Sequence, residues 1–208
     1  MNKKQLIINE LDRLFENPKC ELEYTKDYEL LLSVMLSAQT TDKSVNNCTR
    51  ELYRKYNTLE KLNKLSISDI SSYIKSIGLY KTKSYNFKQI VSKLSEIGYV
   101  PNDRKFLESL PGVGRKTASV VLSQLFNEPS FAVDTHVYRT SKRLGITKEK
   151  DDVLKTEEKL KKFFDKETWN RVNSQFVLFG RYYCTSRNPK CENCKLKSIC
   201  KYKEKWLF

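Results

Sequence analysis

The sequence has 208 residues, of which 39% are hydrophobic and 12% aromatic, and this much apolar material excludes a disordered chain. Lys and Arg number 39 against 25 Asp and Glu, a formal net charge of +14 that is typical of a protein with a polyanionic partner. The single histidine, His136, excludes a multi-histidine metal site. No apolar run approaches the roughly 18 residues of a membrane-spanning helix, and no signal peptide is recognised, so we expect a cytoplasmic protein without membrane contacts.

Apolar residues recur at helical spacing along most of the chain, and no long segment alternates like a strand, so the sequence predicts an all-α fold. Ser66 and Asp69 form a predicted capping box, and Gly78 and Gly98 are expected to end helices. Asp134 is placed to cap a helix that ends before Gly145. The predicted helices cover residues 5–15, 27–37, 42–56, 59–65, 66–77, 82–97, 103–109, 115–126, 135–144, 150–164 and 166–183.

The C-terminal segment concentrates both cysteine and positive charge. Four of the six cysteines follow the pattern Cys-x6-Cys-x2-Cys-x5-Cys, and residues 181–208 hold eight basic residues against two acidic ones. Without an export signal, such a group favours metal ligands over disulfides. The compact spacing favours a cubane iron–sulfur cluster over zinc, although both metals accept four thiolates. The four cysteines are Cys184, Cys191, Cys194 and Cys200.

The segment 110–114, Leu-Pro-Gly-Val-Gly, is predicted to form a tight turn between two helices. Gly112 and Gly114 allow positive φ and a close approach of phosphate to main-chain amides. The first N–H groups of the following helix, from Arg115 onward, would point at that phosphate. An ordinary helix–turn–helix connection is the alternative, because glycine turns between helices are common.

Lys116 lies in the first predicted turn after the glycines. A positive charge at this end of a helix is disfavoured by the helix dipole, so the neutral amine of the lysine becomes more accessible. A neutral amine is a nucleophile that forms Schiff bases with aldehydes and open sugars. The alternative is a solvated lysine that contacts phosphate. Asp134 is either an N-cap or a carboxylate that supports positive charge and proton transfer. His136 is as compatible with packing or capping as with catalysis.

Several segments together resemble the endonuclease III family of helix-hairpin-helix DNA glycosylases. They are Leu-Pro-Gly-Val-Gly-Arg-Lys-Thr-Ala at 110–118, Val-Asp-Thr-His-Val-Tyr-Arg at 133–139, and the cysteine pattern. Leu-Ser-Ala-Gln-Thr-Thr-Asp at 36–42 and Ile-Gly-Leu-Tyr at 77–80 also match. The match runs in order from about residue 3 to about residue 205. The combination is highly specific, whereas no single segment is.

The resemblance implies a bifunctional repair enzyme that excises oxidised pyrimidines and then cleaves the strand at the abasic sugar. Lys116 matches the nucleophile that attacks C1′, expels the base and holds the sugar as a Schiff base before β-elimination of the 3′ phosphate. Asp134 matches the essential carboxylate assigned to activating the lysine and stabilising cationic sugar character. Gln39 matches the residue that fills the space left by the extruded nucleotide, and Leu79 an apolar wedge. For Leu79, an ordinary buried leucine is the alternative.

The resemblance also implies two helical lobes, residues 20–128 and residues 1–19 with 129–208, with DNA across the cleft between them. Lys116 would face this cleft from the first lobe and Asp134 from the second. The expected partner is double-stranded DNA containing oxidised pyrimidines or abasic sites, bound by a monomer located with the chromosome. DNA contacts are expected from Gly112, Val113, Gly114 and Arg115, and a [4Fe-4S] cofactor at Cys184, Cys191, Cys194 and Cys200.

Three other functions share features with this sequence. An adenine-mismatch glycosylase shares the hairpin, aspartate and cluster, but it lacks a lysine at the position of Lys116 and usually carries a long additional C-terminal domain. A non-enzymatic DNA-binding module would need only phosphate contacts, which leaves the pairing of Lys116 with Asp134 unexplained. A zinc-stabilised nuclease would need a carboxylate or histidine cluster for catalytic metals, which the sequence does not offer.

Overall fold

The computed structural model describes residues 2–202, and every regular element within that range is a helix, as predicted. A short 3-10 helix, Lys166–Thr168, leads into the last α-helix, and a π-helical turn, Phe179–Tyr183, follows it. The α-helices are α1 (Lys3–Leu14), α2 (Asp27–Leu36), α3 (Asp42–Lys55), α4 (Leu59–Asn63), α5 (Ile67–Ile74), α6 (Tyr80–Ile97), α7 (Arg104–Ser109), α8 (Arg115–Phe126), α9 (Thr135–Arg143), α10 (Val153–Phe163) and α11 (Trp169–Leu178).

Short polar side chains start most of these helices. The Ser66 hydroxyl accepts the Asp69 N–H, and the Asp69 carboxylate accepts the Ser66 N–H, so the predicted capping box is present. Asp134 and Asp152 each cap a helix by accepting the N–H three residues later. These bonds satisfy amides that have no partner within their own helix, which is why the first residues are well determined by sequence.

The segment around Gly78 differs from the prediction. Helix α5 ends at Ile74 rather than Ile77, and Gly78 does not have a positive φ. The left-handed residue is Leu79, with φ 58°, and α6 starts directly after it at Tyr80. Ile77 turns into the core, where only 4% of it is exposed. Burial of the Ile77 side chain sets the path of the turn. The position of Gly78 in the sequence does not predict this burial.

The last two predicted helices also differ at their ends. Helix α10 begins at Val153 because Asp152 is its cap, and the buried Asp151 before it accepts the Lys148 N–H and the Lys159 ammonium. The predicted helix 166–183 is divided into 3-10, α and π segments. In the π segment the carbonyl of Gly180 accepts a 2.6 Å hydrogen bond from Arg139 of α9, a contact that sequence periodicity does not reveal.

The described residues form two compact units, each with its own core. The hairpin unit is Cys20–Phe126; its central helix α2 is buried on almost all sides, and α3, α6 and α8 pack against it. The cysteine unit comprises 2–19 and 127–202, and its core joins apolar residues of α1 to an aromatic cluster of Phe131, Phe164 and Phe176. Among residues 2–202, no helix combines the length and apolarity needed to cross a membrane.

Candidate active site

The turn between α7 and α8 depends on one glycine. Gly112 has φ 78°, and the Val113 N–H donates to the Leu110 carbonyl across the turn. A Cβ at Gly112 would lie 2.6 Å from Nδ2 of Asn86 and 3.2 Å from Cγ of Met35. The turn is therefore seated closely against α6 and α2, in a positive-φ conformation that glycine adopts without strain.

The second glycine of the turn is used differently from the expectation. Gly114 does not have a positive φ, and no atom lies within 4 Å of a Cβ built there. It leaves the main chain exposed on the outer side of the turn, where a bulky ligand can approach. Val113 is buried and anchors the turn in the core through its side chain, whereas Gly112, Gly114 and Arg115 are exposed.

Lys116 lies on the exposed side of the first turn of α8. The N–H groups of that first turn have no acceptor within the helix, so an anion at this end is stabilised. Arg104 of α7 braces the hairpin, donating to the Ser119 hydroxyl of α8 at 3.2 Å. The hairpin unit thus presents an exposed amine beside a rigid turn with main-chain donors.

Asp134 is the N-cap of α9 in the cysteine unit. Its Oδ1 accepts the Val137 N–H at 2.8 Å, so the capping interpretation is confirmed. Within residues 2–202, Oδ2 accepts no hydrogen bond, and the side chain is half-buried. The strand-like segment before it is clamped by the Asn173 amide, which bonds both the N–H and the carbonyl of Ala132. The cap and the clamp fix the carboxylate while leaving one oxygen for another partner.

His136 is accounted for by packing. A Cβ at Gly180 would lie 2.7 Å from Cβ of His136, so α9 and the π-helical turn are in close contact at this residue. Nδ1 of His136 also lies 3.4 Å from the Arg139 guanidinium. The structure therefore gives His136 a place in the core contacts of the cysteine unit, and no catalytic role is needed to explain it.

Gln39 and Leu79 share an uncommon conformation at exposed turns of the hairpin unit. Their φ angles are 56° and 58°, and each side chain is exposed, with 63% of Leu79 accessible. The alternative of a buried leucine is therefore wrong. Non-glycine residues in the left-handed region cost about 1–3 kcal/mol, and such strain is concentrated at functional sites.

Sequence reasoning missed Lys83. Its ammonium donates to the Ala38 carbonyl and the Thr40 hydroxyl, which flank Gln39. The sequence does contain a signal for its burial, because Lys83 lies at helical spacing on the same face of α6 as Phe87, Ile90 and Leu94. A lysine at a core position of an amphipathic helix indicates a specific partner for its charge.

The four C-terminal cysteines lie half-buried in one loop of the cysteine unit, and all are free thiols. The N–H of Cys194 bonds to the carbonyl of Cys191, closing the Cys-x2-Cys turn. Arg143 of α9 donates to Sγ of Cys184 at 3.4 Å and to the carbonyl of Thr185 at 2.7 Å. A positive charge thus lies against the sulfur that begins the loop.

These donors suit a group that binds thiolates. Burial raises the pKa of the Cys184 thiol and raises that of Cys194 to about 11. The negative charges of Cys184 and Cys200 raise the pKa of Cys194 further, so the thiols are close enough to repel one another when ionised. Among residues 2–202 no three His, Cys, Asp or Glu side chains are gathered around a position for a single ion. A cubane cluster is larger than a single ion, so its four thiolate ligands surround it at wider spacing, and four cysteines are the donors that it takes.

Comparison with known proteins places these features in context. Residues 32–166 match the HhH-GPD superfamily of base excision DNA repair proteins. The chain is 42% identical over 209 residues to endonuclease III of Bacillus subtilis (strain 168), covering 99% of this chain and 95% of that one. It is 44% identical over 211 residues to endonuclease III of Escherichia coli (strain K12), covering 99% of both.

A solved structure gives the same result in three dimensions. The chain is similar to endonuclease III trapped as a covalent intermediate with DNA in an estranged-adenine complex, with a TM-score of 0.89 and 41% identity. The alignment covers 97% of this chain and 96% of that one.

Two substitutions distinguish the capping role of Asp134 from the role of its negative charge. Asp134→Ala should lower the free energy of unfolding by about 1 kcal/mol, whereas Asp134→Asn should leave it nearly unchanged because an amide oxygen also accepts the Val137 N–H. Asp152→Ala, which removes the equivalent cap of α10, is the matched control and should cost a similar amount. Urea unfolding followed by circular dichroism measures all three; an Asn variant as unstable as the Ala variant would contradict the cap.

Proposed function

Because this chain belongs to the endonuclease III family of the HhH-GPD superfamily, it is a DNA glycosylase and AP lyase of base excision repair, and we propose that Lys116 and Asp134 carry its chemistry. Lys116 stands at the family's nucleophile position in 110–118, and Asp134 at its carboxylate position in 133–139. The observation that carries the proposal is the exposure of Lys116 directly after the glycine turn.

Lys116 supplies the nucleophile. Its neutral amine attacks C1′ of the damaged nucleotide; the N–C1′ bond forms as the glycosidic bond breaks, and the base leaves with its electron pair and takes up a proton. Opening of the sugar ring gives a protonated Schiff base between Lys116 and C1′. Loss of a proton from C2′ then expels the 3′ phosphate, which cleaves the strand. The positively charged imine makes this elimination possible because it accepts the electrons from the C2′–H bond.

Asp134 supplies negative charge. Its Oδ1 is committed to the cap of α9, and Oδ2 is the oxygen that stabilises cationic character on the sugar and takes part in proton transfer. The cap fixes the carboxylate in one orientation, and a fixed charge needs no rearrangement as the transition state forms.

Gln39 and Leu79 are the residues that insert into the duplex. A base inside the stack is out of reach of any side chain, so the damaged nucleotide has to be extruded. Leu79 enters the duplex as an apolar wedge, and Gln39 occupies the space that the nucleotide leaves. Their exposure at left-handed turns supports both roles. The hairpin contacts backbone phosphate through Gly112, Gly114 and Arg115. Val113, also expected to contact DNA, instead anchors the turn, because its side chain is buried and its N–H bonds the Leu110 carbonyl.

The C-terminal loop holds a [4Fe-4S] cluster through Cys184, Cys191, Cys194 and Cys200. When bound, the cluster supplies four strong cross-links to a loop that has little apolar core of its own. The lysines and arginine of the loop, including Arg187 and Lys195, are then held in place to meet phosphate. The cluster thus has a structural role.

The substrates are double-stranded DNA with oxidised pyrimidines or abasic sites, bound by a monomer in the cytoplasm with the chromosome. The net charge of +14 favours such a partner. An adenine-mismatch glycosylase is disfavoured, because Lys116 occupies the nucleophile position that those enzymes leave without a lysine.

Borohydride reduction tests the nucleophile. With a duplex containing an abasic site or thymine glycol, the wild-type protein should form a stable covalent adduct with DNA, and Lys116→Ala should form none because the Schiff base has no amine. Lys105→Ala, which removes an exposed lysine of α7, is the control and should still be trapped. Adducts are counted on denaturing gels. A Lys116→Ala adduct at the wild-type level would refute the assignment.

Asp134→Asn should bind damaged duplex as the wild type does and lose most of its turnover, by roughly a hundredfold or more, since only the charge is removed. Single-turnover rates and gel-shift affinities separate the two effects. Asp152→Ala, with its cap in the same unit removed, should keep normal turnover. Wild-type turnover in Asp134→Asn would exclude a catalytic carboxylate at this position.

Purified protein should be brown and contain about four irons per chain. Cys194→Ser should lose most of the iron, whereas Cys20→Ser, a half-buried cysteine of the other unit, should keep it. Iron and zinc are measured by elemental analysis. A colourless wild-type preparation with stoichiometric zinc would overturn the cluster and leave the glycosylase chemistry untouched.

A further inference from the structure

Lys83 is a buried lysine whose hydrogen bonds reach two exposed turns of the hairpin unit. Only 4% of the residue is accessible to solvent. Its Nζ donates to the carbonyl of Ala38 and to the hydroxyl of Thr40, both at 2.8 Å. Its main-chain N–H donates to the carbonyl of Leu79 at 3.0 Å. One residue therefore contacts the Gln39 turn through its side chain and the Leu79 turn through its main chain.

The side-chain bonds act on both sides of Gln39. Ala38 and Thr40 are its chain neighbours. The bond to the Ala38 carbonyl restricts the peptide group before Gln39, and the bond to the Thr40 hydroxyl holds the side chain that follows it. Gln39 has φ 56°, a strained conformation for a non-glycine residue that persists only where the surroundings determine it. The Lys83 ammonium provides that determination from inside the unit.

The main-chain bond acts on Leu79. Leu79 is the left-handed N-cap of α6, and no side chain caps that helix. The bond from the Lys83 N–H to the Leu79 carbonyl is the first helical hydrogen bond after the turn, so Leu79 and Lys83 lie one helical turn apart. Lys83 therefore connects the Gln39 turn, through its ammonium, to the helical turn that follows Leu79.

We propose that Lys83 is the positioning residue that fixes the spacing between Gln39 and Leu79, so that both enter the damaged duplex at once. This inference rests on the DNA roles proposed above for those two residues.

The choice of lysine supports a role beyond filling space. A methionine would occupy nearly the same volume without the cost of burying an ammonium. The acceptors of Lys83 are a carbonyl and a hydroxyl, so no carboxylate offsets its charge through them. Burial lowers the pKa of Lys83, and Cys48, a neighbouring group that can carry negative charge, opposes this shift. A buried lysine thus costs stability that a methionine would not, and its side chain holds two acceptors at once, which a methionine could not do.

Lys83→Met tests the proposal, and Lys88→Met is the matched control. Lys88 lies on the same helix, and its ammonium also bonds a main-chain carbonyl, that of Asn63 at the end of α4. We expect Lys83→Met to react roughly ten- to a hundredfold more slowly in single turnover on a thymine-glycol duplex, because the inserting residues are misplaced. Lys83→Met should bind undamaged duplex at least as tightly as Lys88→Met does, and its midpoint of thermal unfolding should be no lower. Lys88→Met should react as fast as the wild type.

A double-mutant cycle separates positioning from a general loss of charge. If Lys83 acts through Gln39, Lys83→Met with Gln39→Ala should react no more slowly than the slower single variant. Multiplicative losses would overturn the proposal, because they indicate independent effects. A 2-aminopurine placed opposite an abasic site should show an equally reduced fluorescence change with Lys83→Met and with Gln39→Ala.

The possible failures can be told apart. If Gln39→Ala and Leu79→Ala react like the wild type, the proposed DNA roles of the two turns are wrong, and the inference about Lys83 falls with them. If those variants are slow while Lys83→Met is not, only the inference about Lys83 is overturned. The borohydride experiment with Lys116→Ala tests the nucleophile separately from either result.

Discussion

The close seating of Gly112 against Asn86 and Met35 is the constraint on which the rest of the hairpin unit depends. With no Cβ at Gly112, the turn between α7 and α8 settles against α6 and α2, and this contact sets the direction in which α8 leaves the turn. Lys116 then projects from an exposed first turn, beside amides with no helical acceptor. A residue with a Cβ would be strained at φ 78° and would displace the Asn86 side chain, so glycine favours this seating. Lys116, the proposed nucleophile, thus follows a turn that is packed against the core on its opposite side.

Side chains proposed here for function also make hydrogen bonds that stabilise the fold. Asp134 uses one carboxylate oxygen to cap α9 and keeps the other for a different partner. Arg143 of the same helix donates to Sγ of Cys184 and to carbonyls of the cysteine loop. Structural bonds reduce the freedom of the groups that make them, and that loss is already complete before a substrate binds. Rigid placement of the carboxylate and of the cysteine loop is therefore achieved without additional residues.

The two exposed turns of the hairpin unit show how strain is maintained. Gln39 and Leu79 both adopt left-handed conformations that cost free energy, and neither is a glycine. A glycine would relieve the strain but would provide no side chain for the insertion into DNA that we propose. The surrounding structure keeps the conformations instead, through the buried Lys83 and the hydrogen bond that starts α6. Fixed turns of this kind hold the inserting side chains ready, so less conformational entropy is lost when DNA binds.

Sequence alone determined the helical class and most helix starts, because caps such as Asp134 are local in the chain. The residues proposed for catalysis came from the resemblance of motifs such as 110–118 to the family. The caps act over three residues, and the hairpin glycine, lysine and cysteines lie at fixed spacings. Tertiary structure alone decided that α5 ends at Ile74, that Leu79 is exposed and left-handed, and that Lys83 is bonded to residues more than 40 positions away. Each of these depends on which side chains meet across the core, such as Ile77, and on hydrogen bonds between distant segments. A local sequence pattern does not predict such contacts, because the free energy that favours them arises only when the core of each unit forms.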